Sequence, residues 1–390
     1  MCYFRRCGVR MKKVVVGMSG GVDSSVCAKL LIDQGFNVIG VFMRNWDSTV
    51  NNEIIGNNID TDDICPQERD YNDAKIVCDQ LNIKLHRFDF IEEYWNDVFT
   101  YFLKELKNGR TPNPDLLCNK YIKFDAFKKA CECFKADLFA FGHYAITRFE
   151  DDGVHLLQGV DKNKDQTYFL SQVNKEQLSN VIFPIGHLNK NEVREIANKY
   201  NLHTSTKKDS TGICFIGERN FPIFLKNYFK PKEGKIVDIS TNEVIGNHYG
   251  LVNYTIGQRK GLNISGASSS FYVCAKNTEN NNLYVCSEEN IRYLLSVKCS
   301  ISNINWINKP KQNVFKCYAK FRYRQELILV ELKIEKEYII VNYPQQVKAV
   351  TPGQACVMYK NNECLGSGII DNVYNEKNEK MVYIGGCSNE

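Results

Sequence analysis

The stretch VVVGMSGGVDSSVCAKLL, residues 14–31, places a glycine-rich loop between an apolar run and an apolar helical pattern. The run VVVG is typical of a buried strand, and Val22, Val26 and Leu30 recur at the spacing of one helix face. A glycine-rich turn of this kind presents backbone N–H groups at a helix N-terminus, where an anion can bind. The alternative interpretation is an ordinary tight corner that needs glycine.

The loop differs from the P-loop because no lysine directly follows Gly21. Backbone N–H groups and the hydroxyls of Ser19, Ser24 and Ser25 would therefore hold a phosphate. The string SGGVDSS resembles the pyrophosphate-binding loop (PP-loop) of the ATP pyrophosphatases. This resemblance implies that ATP is cleaved between its α- and β-phosphates and that AMP is passed to a substrate oxygen.

The length of 390 residues exceeds what one compact core supports, so we expect two or three domains. A net charge of +5 permits a nucleic-acid partner, and the lack of an 18-residue apolar run argues against a membrane span. The 16 cysteines include no Cys-x-x-Cys pair, which argues against structural zinc or an iron–sulfur cluster. We therefore expect reduced thiols and no protein-ligated metal.

The N-terminal residues 1–11 carry three arginines and no acid, and Met11 directly precedes KKVVVGMSGG. This segment is too short and polar for a secretory signal. An upstream start codon or a short tail is the simplest interpretation, so we expect a cytoplasmic protein with an N-terminal extension. Mitochondrial targeting by this basic segment is the alternative.

After the N-terminal segment, the chain divides into three regions that differ in their pattern of predicted strands and helices. Residues 12–218 alternate strands with helical segments, which predicts an α/β, doubly wound parallel sheet, a Rossmann-like PP-loop domain. Residues 219–290 have short strands between Gly, Asn and Thr and predict a small β-rich central domain. Residues 291–390 predict a C-terminal antiparallel β-barrel, basic and aromatic, for a macromolecular substrate. The Asn- and Asp-rich residues 47–63 predict a surface loop.

The segment NGRTPNPDLLCNKYIKFDAF is the most informative for chemistry. Asn113 can cap a helix, Pro114 suits its first position, and Asp115 and Cys118 fall on one helix face. The helix dipole and two nearby lysines would lower the pKa of the Cys118 thiol and favour a thiolate. A buried structural cysteine is the alternative.

A second cysteine, Cys214, lies in TSTKKDSTGICFIGERNF. Gly212 gives this polar segment conformational freedom, and Lys207 and Lys208 supply positive potential. As a lone cysteine beside an apolar pair, Cys214 would be a core residue at a strand edge. As a second thiol in a chain with an ATP-activating loop, it is a candidate for catalysis.

These segments closely resemble the tRNA-specific 2-thiouridylase family over nearly the whole chain from Lys12. The resemblance is carried by GMSGGVDSSV, FMRNW, GRTPNPDLLCN, FGHYA, DKNKDQTYFL, STGICFIGERNF, YTIGQRKGL, FRYRQ and VTPGQACVMY. It implies a tRNA-uridine 2-sulfurtransferase that thiolates the wobble uridine. ATP, with Mg²⁺ expected alongside it, would adenylate the uracil C2 oxygen, and a cysteine persulfide would replace that oxygen and release AMP.

By this resemblance, Cys214 carries the persulfide, Cys118 is the second catalytic thiol, and Asp115 is a base or an orienting group. After sulfur transfer the thiols of Cys118 and Cys214 would close a transient disulfide, which a reductant reopens. Gly212 would let the Cys214 segment move within disulfide reach.

The resemblance also implies binding residues. The ATP contacts would be Gly17, Met18, Ser19, Gly20, Gly21, Val22, Asp23, Ser24, Met43 and Gly142. The target base would meet Asn113, Pro114 and Asp115, and tRNA would contact His143, Lys164, Asp165, Gln166, Arg322, Tyr323 and Gln354. A core histidine at His143 and a solvated barrel residue at Arg322 are the alternatives.

The expected partners are tRNAs for Lys, Glu and Gln, and a cysteine desulfurase or sulfur-relay protein as persulfide donor. We expect a monomer and no membrane partner.

Two other functions fit parts of the sequence. A PP-loop ligase would displace AMP with ammonia or an amine and would need no paired thiols. A tRNA-binding protein with a vestigial nucleotide loop would release neither AMP nor pyrophosphate.

Overall fold

The computed structural model describes residues 11–51, 53, 66–209, 220–262, 264 and 269–385. Its first seven strands are β1 (Lys13–Met18), β2 (Asn37–Arg44), β3 (Leu85–Asp89), β4 (Leu138–Ala140), β5 (Ala145–Glu150), β6 (Gly153–Gln158) and β7 (Val181–Ile182). Five of them form a parallel sheet in the order β3-β2-β1-β4-β7. The order reverses on either side of β1, so the predicted doubly wound sheet is confirmed.

Within the described ranges the chain also forms ten α-helices, most of them short. They are α1 (Val22–Asp33), α2 (Pro66–Gln80), α3 (Ile91–Tyr94), α4 (Thr100–Lys107), α5 (Pro114–Leu117), α6 (Phe127–Ala130), α7 (Thr167–Leu170), α8 (Lys175–Leu178), α9 (Lys190–Lys199) and α10 (Phe221–Leu225). Two π-helical stretches, Trp95–Phe99 and Cys118–Ala126, join α3 to α4 and α5 to α6. Among the residues described, no helix is long and apolar enough to span a bilayer.

The central strand β1 is buried on both faces. Val14 and Val16 pack into one apolar cluster with residues of α1, α2 and α9. Val15 points to the opposite face, into a second cluster that contains Met43 and Cys118. Because successive strand residues point to opposite faces, a strand buried on both sides becomes a continuous apolar run, which VVVG is.

The remaining strands form two further sheets. They are β8 (Glu233–Asp238), β9 (Val244–Tyr249), β10 (Phe271–Asn277), β11 (Asn282–Ser287), β12 (Leu295–Trp306), β13 (Val314–Lys320), β14 (Ile328–Ile334), β15 (Ile339–Lys348), β16 (Ala355–Lys360), β17 (Glu363–Tyr374) and β18 (Ile384–Gly385). The small central sheet has the order β18-β10-β11-β8-β9. Strands β12 to β17 form an antiparallel barrel that closes through the β12–β17 pairing. The predicted small β-rich domain and C-terminal antiparallel barrel are confirmed as folds, and their predicted bounds stay predictions.

Two connections cross between these sheets, and the sequence pattern did not reveal either. The hairpin β5–β6, which follows β4, joins the barrel sheet where Leu156 pairs with Cys364. The short strand β18, at the end of the described chain, returns to pair with β10 of the central sheet. His155 of the hairpin also contacts Glu363 of β17 through Nδ1 at 2.8 Å. Segments from one region of the chain therefore pair with the sheet of another region.

Candidate nucleotide and thiol sites

The phosphate loop adopts a conformation that requires glycine at two positions. Gly20 has φ +69°, and a Cβ there would lie 2.1 Å from the carbonyl oxygen of Asp70 in α2. A Cβ on Gly17 would lie 2.8 Å from the ring of Phe141. The glycines are thus needed both for a left-handed turn and for close packing.

The serines of the loop bond to the loop itself. The Ser24 hydroxyl accepts from the Ser19 N–H at 3.2 Å and lies 3.1 Å from the Gly21 carbonyl oxygen. Ser25 donates to the same carbonyl at 2.8 Å. Gly21 is the N-cap of α1 and has no side-chain cap, so the helix N-terminus can accept an anionic group.

The other residues predicted to bind ATP surround this loop. The Met43 methyl lies 3.4 Å from the position of a Cβ on Gly17, and a Cβ on Gly142 would lie 2.8 Å from the Ser24 nitrogen. The structure therefore brings the ends of β1, β2 and β4 together around the loop. Met18 and Val22 are buried in the core, so that only their backbone groups can meet a nucleotide.

Asp23 connects the loop to two residues that the sequence patterns did not indicate. Its Oδ1 accepts from the Tyr144 hydroxyl at 2.9 Å and from the Lys190 ammonium at 2.7 Å. Burial, and then the Asp23 carboxylate, raise the pKa of Tyr144 well above its ordinary value, so the phenol stays protonated and donates. These partners lie 121 and 167 residues from Asp23 in sequence, and no local signal marks them.

Near Asp23, the carboxylate of Asp209 binds three cationic side chains. Its carboxylate accepts from Lys164 at 2.7 Å, from Lys190 at 2.8 Å and from Arg194 at 2.7 Å. Burial disfavours the charged carboxylate, but the hydrogen bonds from Lys164 and Lys190 outweigh it and lower the pKa of Asp209 to about 2. Lys164, a predicted tRNA contact, is therefore linked to the loop through Asp209 and Lys190.

Lys207 contacts the loop at Gly20 and lies against helix α2. Its ammonium donates to the Gly20 carbonyl at 3.0 Å, to Asp70 at 2.7 Å and to Asp73 at 2.5 Å. The positive charge predicted to act near Cys214 is thus engaged at the phosphate loop. The segment around Lys207 is also bonded to α1, because Thr204 donates to Ser25 at 2.9 Å.

Cys118 follows a capped helix, as expected. The Asn113 side chain accepts from the Asp115 N–H at 3.1 Å, and Pro114 occupies the first turn of α5. Cys118 begins the π-helical stretch and has no exposed surface. Long π-helical stretches are rare and often mark functional sites. The lowered thiol pKa and the roles of Asp115 and Cys118 stay predictions.

His143 is buried among Phe124, Phe141 and Phe183, with ring centroids 5.7–6.1 Å away. Burial, reinforced by the charge of Lys123, holds the pKa of His143 well below its ordinary value, so the ring is neutral. Its Nδ1 has no hydrogen-bond partner among the described residues. The structure thus places His143 in the interior, and its predicted tRNA contact stays a prediction.

Asp165 and Gln166 are engaged inside the protein. The buried Asp165 carboxylate accepts from Gln158 at 2.9 Å and from the Thr167 hydroxyl at 2.9 Å. Gln166 accepts from the Tyr144 N–H at 3.0 Å. In this conformation they support the segment that carries Lys164, and their predicted tRNA contacts stay predictions.

The barrel residues differ in exposure. Arg322 is exposed, in the turn that follows β13. Tyr323 is partly buried and its ring lies 4.4 Å from that of Phe169. Gln354 donates to the Thr111 carbonyl at 2.7 Å and so contacts the segment before Asn113.

Cys214 and Gly212 lie outside the described residues, and the predicted disulfide with Cys118 therefore stays a prediction. Within the described ranges, Glu150, Asp152 and His155 bring ligand atoms within 4.8 Å of one another. Glu150 and Asp152 are exposed, and His155 is bonded to Glu363. The predicted absence of a protein-ligated metal stays a prediction.

Three family models match successive parts of the chain. The tRNA methyl transferase HUP domain matches residues 12–218, the tRNA methyl transferase PRC-barrel domain matches 223–287, and the aminomethyltransferase beta-barrel domain matches 296–370. A solved 4-thiouridine synthetase–RNA complex with bound ATP covers 50% of this chain and 43% of its own, at 14% identity and a TM-score of 0.32.

Curated relatives match almost end to end. The tRNA-specific 2-thiouridylase MnmA of Mesoplasma florum is 55% identical over 92% of this chain and 99% of its own length. The protein of the same name from Mycoplasma capricolum is 54% identical over 93% and 99%, and that from Acholeplasma laidlawii is 52% identical over 95% and 99%. With this identity along nearly the whole chain, the protein belongs to the tRNA-specific 2-thiouridylase family and is a tRNA sulfurtransferase.

Proposed function

We propose that this protein uses ATP to replace the C2 oxygen of the wobble uridine in tRNA with sulfur. The observation that carries the proposal is the pairing of two features in one α/β domain. A phosphate loop follows β1, and Cys118 lies on a helix capped by Asn113, in the same apolar cluster as Met43 of the nucleotide site. Thiolation chemistry needs both an activating nucleotide and a thiol.

The loop would act in the first step. Oxygen bonded to carbon at C2 of uracil is a poor leaving group, and adenylation converts it into part of AMP. The C2 oxygen attacks the α-phosphate, its bond to phosphorus forms, and the bond to pyrophosphate breaks. The uncapped N-terminus of α1 and the Ser19 and Ser24 region support pyrophosphate binding at the loop. Carboxylates such as Asp23 and Asp70 have the oxygen chemistry that Mg²⁺ prefers.

The two cysteines would act in the second step. The terminal sulfur of a Cys214 persulfide attacks C2, and AMP leaves with the original oxygen. The Cys118 thiolate then attacks the Cys214 sulfur, and the electron pair of the broken S–S bond stays on the sulfur bonded to C2. A Cys118–Cys214 disulfide remains, and a thiol reductant must supply two electrons to reopen it. Asp115 would act as base or orienting group.

Access to Cys118 requires a movement. Its side chain has no exposed surface, so the Cys118 thiol can reach the Cys214 sulfur only after neighbouring groups shift. A base in an anticodon loop must also leave its stack to enter such a site. We therefore propose that tRNA binding precedes or accompanies the opening of this site.

The partners are those that the family resemblance implies. The tRNAs would be those for Lys, Glu and Gln, and a cysteine desulfurase or sulfur-relay protein would load the persulfide. The barrel would contact tRNA through exposed groups such as Arg322. We propose that the protein acts as a monomer.

The test is mass spectrometry of nucleosides from tRNA incubated with the protein, ATP, a cysteine desulfurase and cysteine. We expect 2-thiouridine at the wobble position, with one AMP and one pyrophosphate released for each base modified. An amidated or aminated base in place of 2-thiouridine would support a ligase. Release of neither AMP nor pyrophosphate would contradict both enzymatic functions.

A further inference from the structure

The phosphate loop contains no cation of its own, since SGGVDSS lacks lysine and arginine. A nucleotide triphosphate carries several negative charges, and backbone N–H groups supply only partial positive charge. The structure places two lysines from later in the chain beside the loop. They are Lys190, which bonds to Asp23, and Lys207, which bonds to the Gly20 carbonyl.

The two ammonium groups differ in how many of their three N–H donors are engaged. Lys207 has three acceptors, namely the Gly20 carbonyl, Asp70 and Asp73. All of its donors are therefore used to hold the loop against α2. Lys207 has no donor left for a phosphate unless one of these bonds breaks.

Lys190 has two acceptors among the described residues, Asp23 at 2.7 Å and Asp209 at 2.8 Å. One N–H donor therefore remains. The side chain is 13% exposed, and the ammonium lies 5.7 Å from the centre of the Tyr144 ring. The Lys190 ammonium is thus fixed by two carboxylates and remains accessible to solvent beside the loop.

The support around Lys190 also favours an anionic ligand. Asp209, which shares Lys190 with Asp23, is itself compensated by Lys164 and Arg194. Its negative charge is therefore divided among three cations, and its hold on any one of them is weakened. An ammonium with a spare donor and a weakly competing carboxylate can accept a further oxyanion.

We propose that Lys190 is a nucleotide-binding residue, whose ammonium donates a hydrogen bond to a phosphate oxygen of ATP at the loop. This inference rests on the proposed use of ATP. In a P-loop, a lysine within the loop supplies positive charge to the phosphates. Here Lys190, at the start of α9, would supply that charge. Asp23 and Asp209 act as positioning residues for that ammonium.

The test compares an ATP analogue with a methylene α–β bridge and adenosine, a probe without phosphate. Binding of both is measured by calorimetry and by ligand-observed NMR for the wild type, Lys190→Met and Lys190→Arg. Lys199→Met, at the exposed end of the same helix, is the matched control. Thermal melting checks that each variant is folded.

We expect Lys190→Met to bind the analogue about 10- to 100-fold more weakly, the loss typical of a charge-assisted hydrogen bond. Adenosine affinity should stay within about twofold, Lys190→Arg should recover part of the loss, and Lys199→Met should match the wild type. Unchanged analogue affinity in Lys190→Met, or an equal loss for adenosine, would overturn the inference and leave ATP use intact. A wild type that does not bind the analogue would overturn both.

Discussion

Gln354 of the barrel donates from Nε2 to the carbonyl oxygen of Thr111, 2.7 Å away, just ahead of the Asn113 cap of the Cys118 helix. The backbone reinforces the contact, because the Thr111 N–H donates to the Pro352 carbonyl at 3.1 Å. Gly353, with φ +92°, lets the two backbones approach, since a Cβ there would lie 2.8 Å from the Thr111 nitrogen. The barrel therefore positions the segment that leads to the candidate thiol.

This contact predicts that Gln354→Ala lowers the rate of thiolation. Losing the hydrogen bond frees the chain ahead of Asn113, and we expect kcat to fall roughly threefold to tenfold, the usual effect of one such bond. ATP affinity should not change, because the phosphate loop lies elsewhere. Gln346→Ala, which removes an exposed bond to Glu376 in the same barrel, should keep wild-type kcat. Equal rates in the two variants would contradict the positioning role.

Ser24→Ala should weaken ATP binding and spare tRNA binding. The Ser24 hydroxyl bonds to the Ser19 N–H and to the Gly21 carbonyl, so its removal loosens the loop. We expect a loss of roughly 5- to 30-fold in affinity for an ATP analogue, measured by calorimetry. The control is Ser179→Ala, at an exposed helix end. A matching loss of tRNA affinity in a folded Ser24→Ala protein would argue against separate sites.

Arg322→Ala should weaken tRNA binding. The side chain is exposed, and one phosphate contact contributes about 0.7–0.9 to the slope of log affinity against log salt concentration. Filter binding at several salt concentrations should show weaker binding and a slope reduced by about that amount. Lys333→Ala is the control, since Lys333 is an exposed barrel lysine already paired with Glu335. If Arg322→Ala kept the wild-type affinity and slope, Arg322 would be an ordinary solvated residue.

Lys276 predicts a pH dependence of stability. Burial lowers the pKa of Lys276 to about 7, and its ammonium donates to the Gly109 carbonyl at 3.1 Å. The unfolded lysine, with pKa 10.5, binds a proton more readily than the folded one. The free-energy penalty that the buried Lys276 imposes on the folded state is therefore greatest below about pH 7. This penalty declines as the pH rises toward 10.5.

The measurement is the unfolding free energy of the wild type and Lys276→Met at pH 7 and pH 9. The wild type should gain up to about 2 kcal/mol relative to the variant across this interval, from at most about 1.4 kcal/mol per pH unit. Lys235→Met, exposed on β8, should show no such trend. A constant difference between wild type and Lys276→Met would mean that the lysine keeps an ordinary pKa.

Local patterns predicted the elements well. The apolar run VVVG predicts β1, and the Asn113–Pro114 pair predicts the start of the Cys118 helix, because capping depends on neighbouring residues alone. What these predictions share is that their physical causes act within a few residues.

Contacts between distant segments could not be predicted in this way. Lys190, Tyr144 and Asp209 are ordinary residues in sequence, and only folding brings them to the phosphate loop. The sequence of the hairpin β5–β6 carries no local signal that it extends the barrel sheet. The family resemblance implies a tRNA contact for Asp165, which stays a prediction, but it does not indicate that the Asp165 carboxylate is buried and bonded to Gln158. Burial depends on the whole fold, which a linear motif does not report.

The last prediction separates the work of the two thiols. If Cys214 bears the transferable sulfur, Cys214→Ser cannot be charged by a cysteine desulfurase, because a hydroxyl does not accept persulfide sulfur. Cys118→Ser should still hold that sulfur but should fail to complete thiolation. Both variants should bind ATP normally, since neither thiol belongs to the loop. Cys133→Ser, which alters an exposed cysteine, is the control and should behave like the wild type.

The measurement follows labelled sulfur in two pools, the label retained on the protein and the label in thiolated tRNA. Wild-type protein that turns over without reductant should also accumulate an internal disulfide, which requires its Cα atoms to come within about 5.5–6 Å. Because Cys118 is fully buried, we expect tRNA to speed the formation of this disulfide. Label stably held on Cys214→Ser, or normal thiolation by Cys118→Ser, would overturn the assignment of the two thiols.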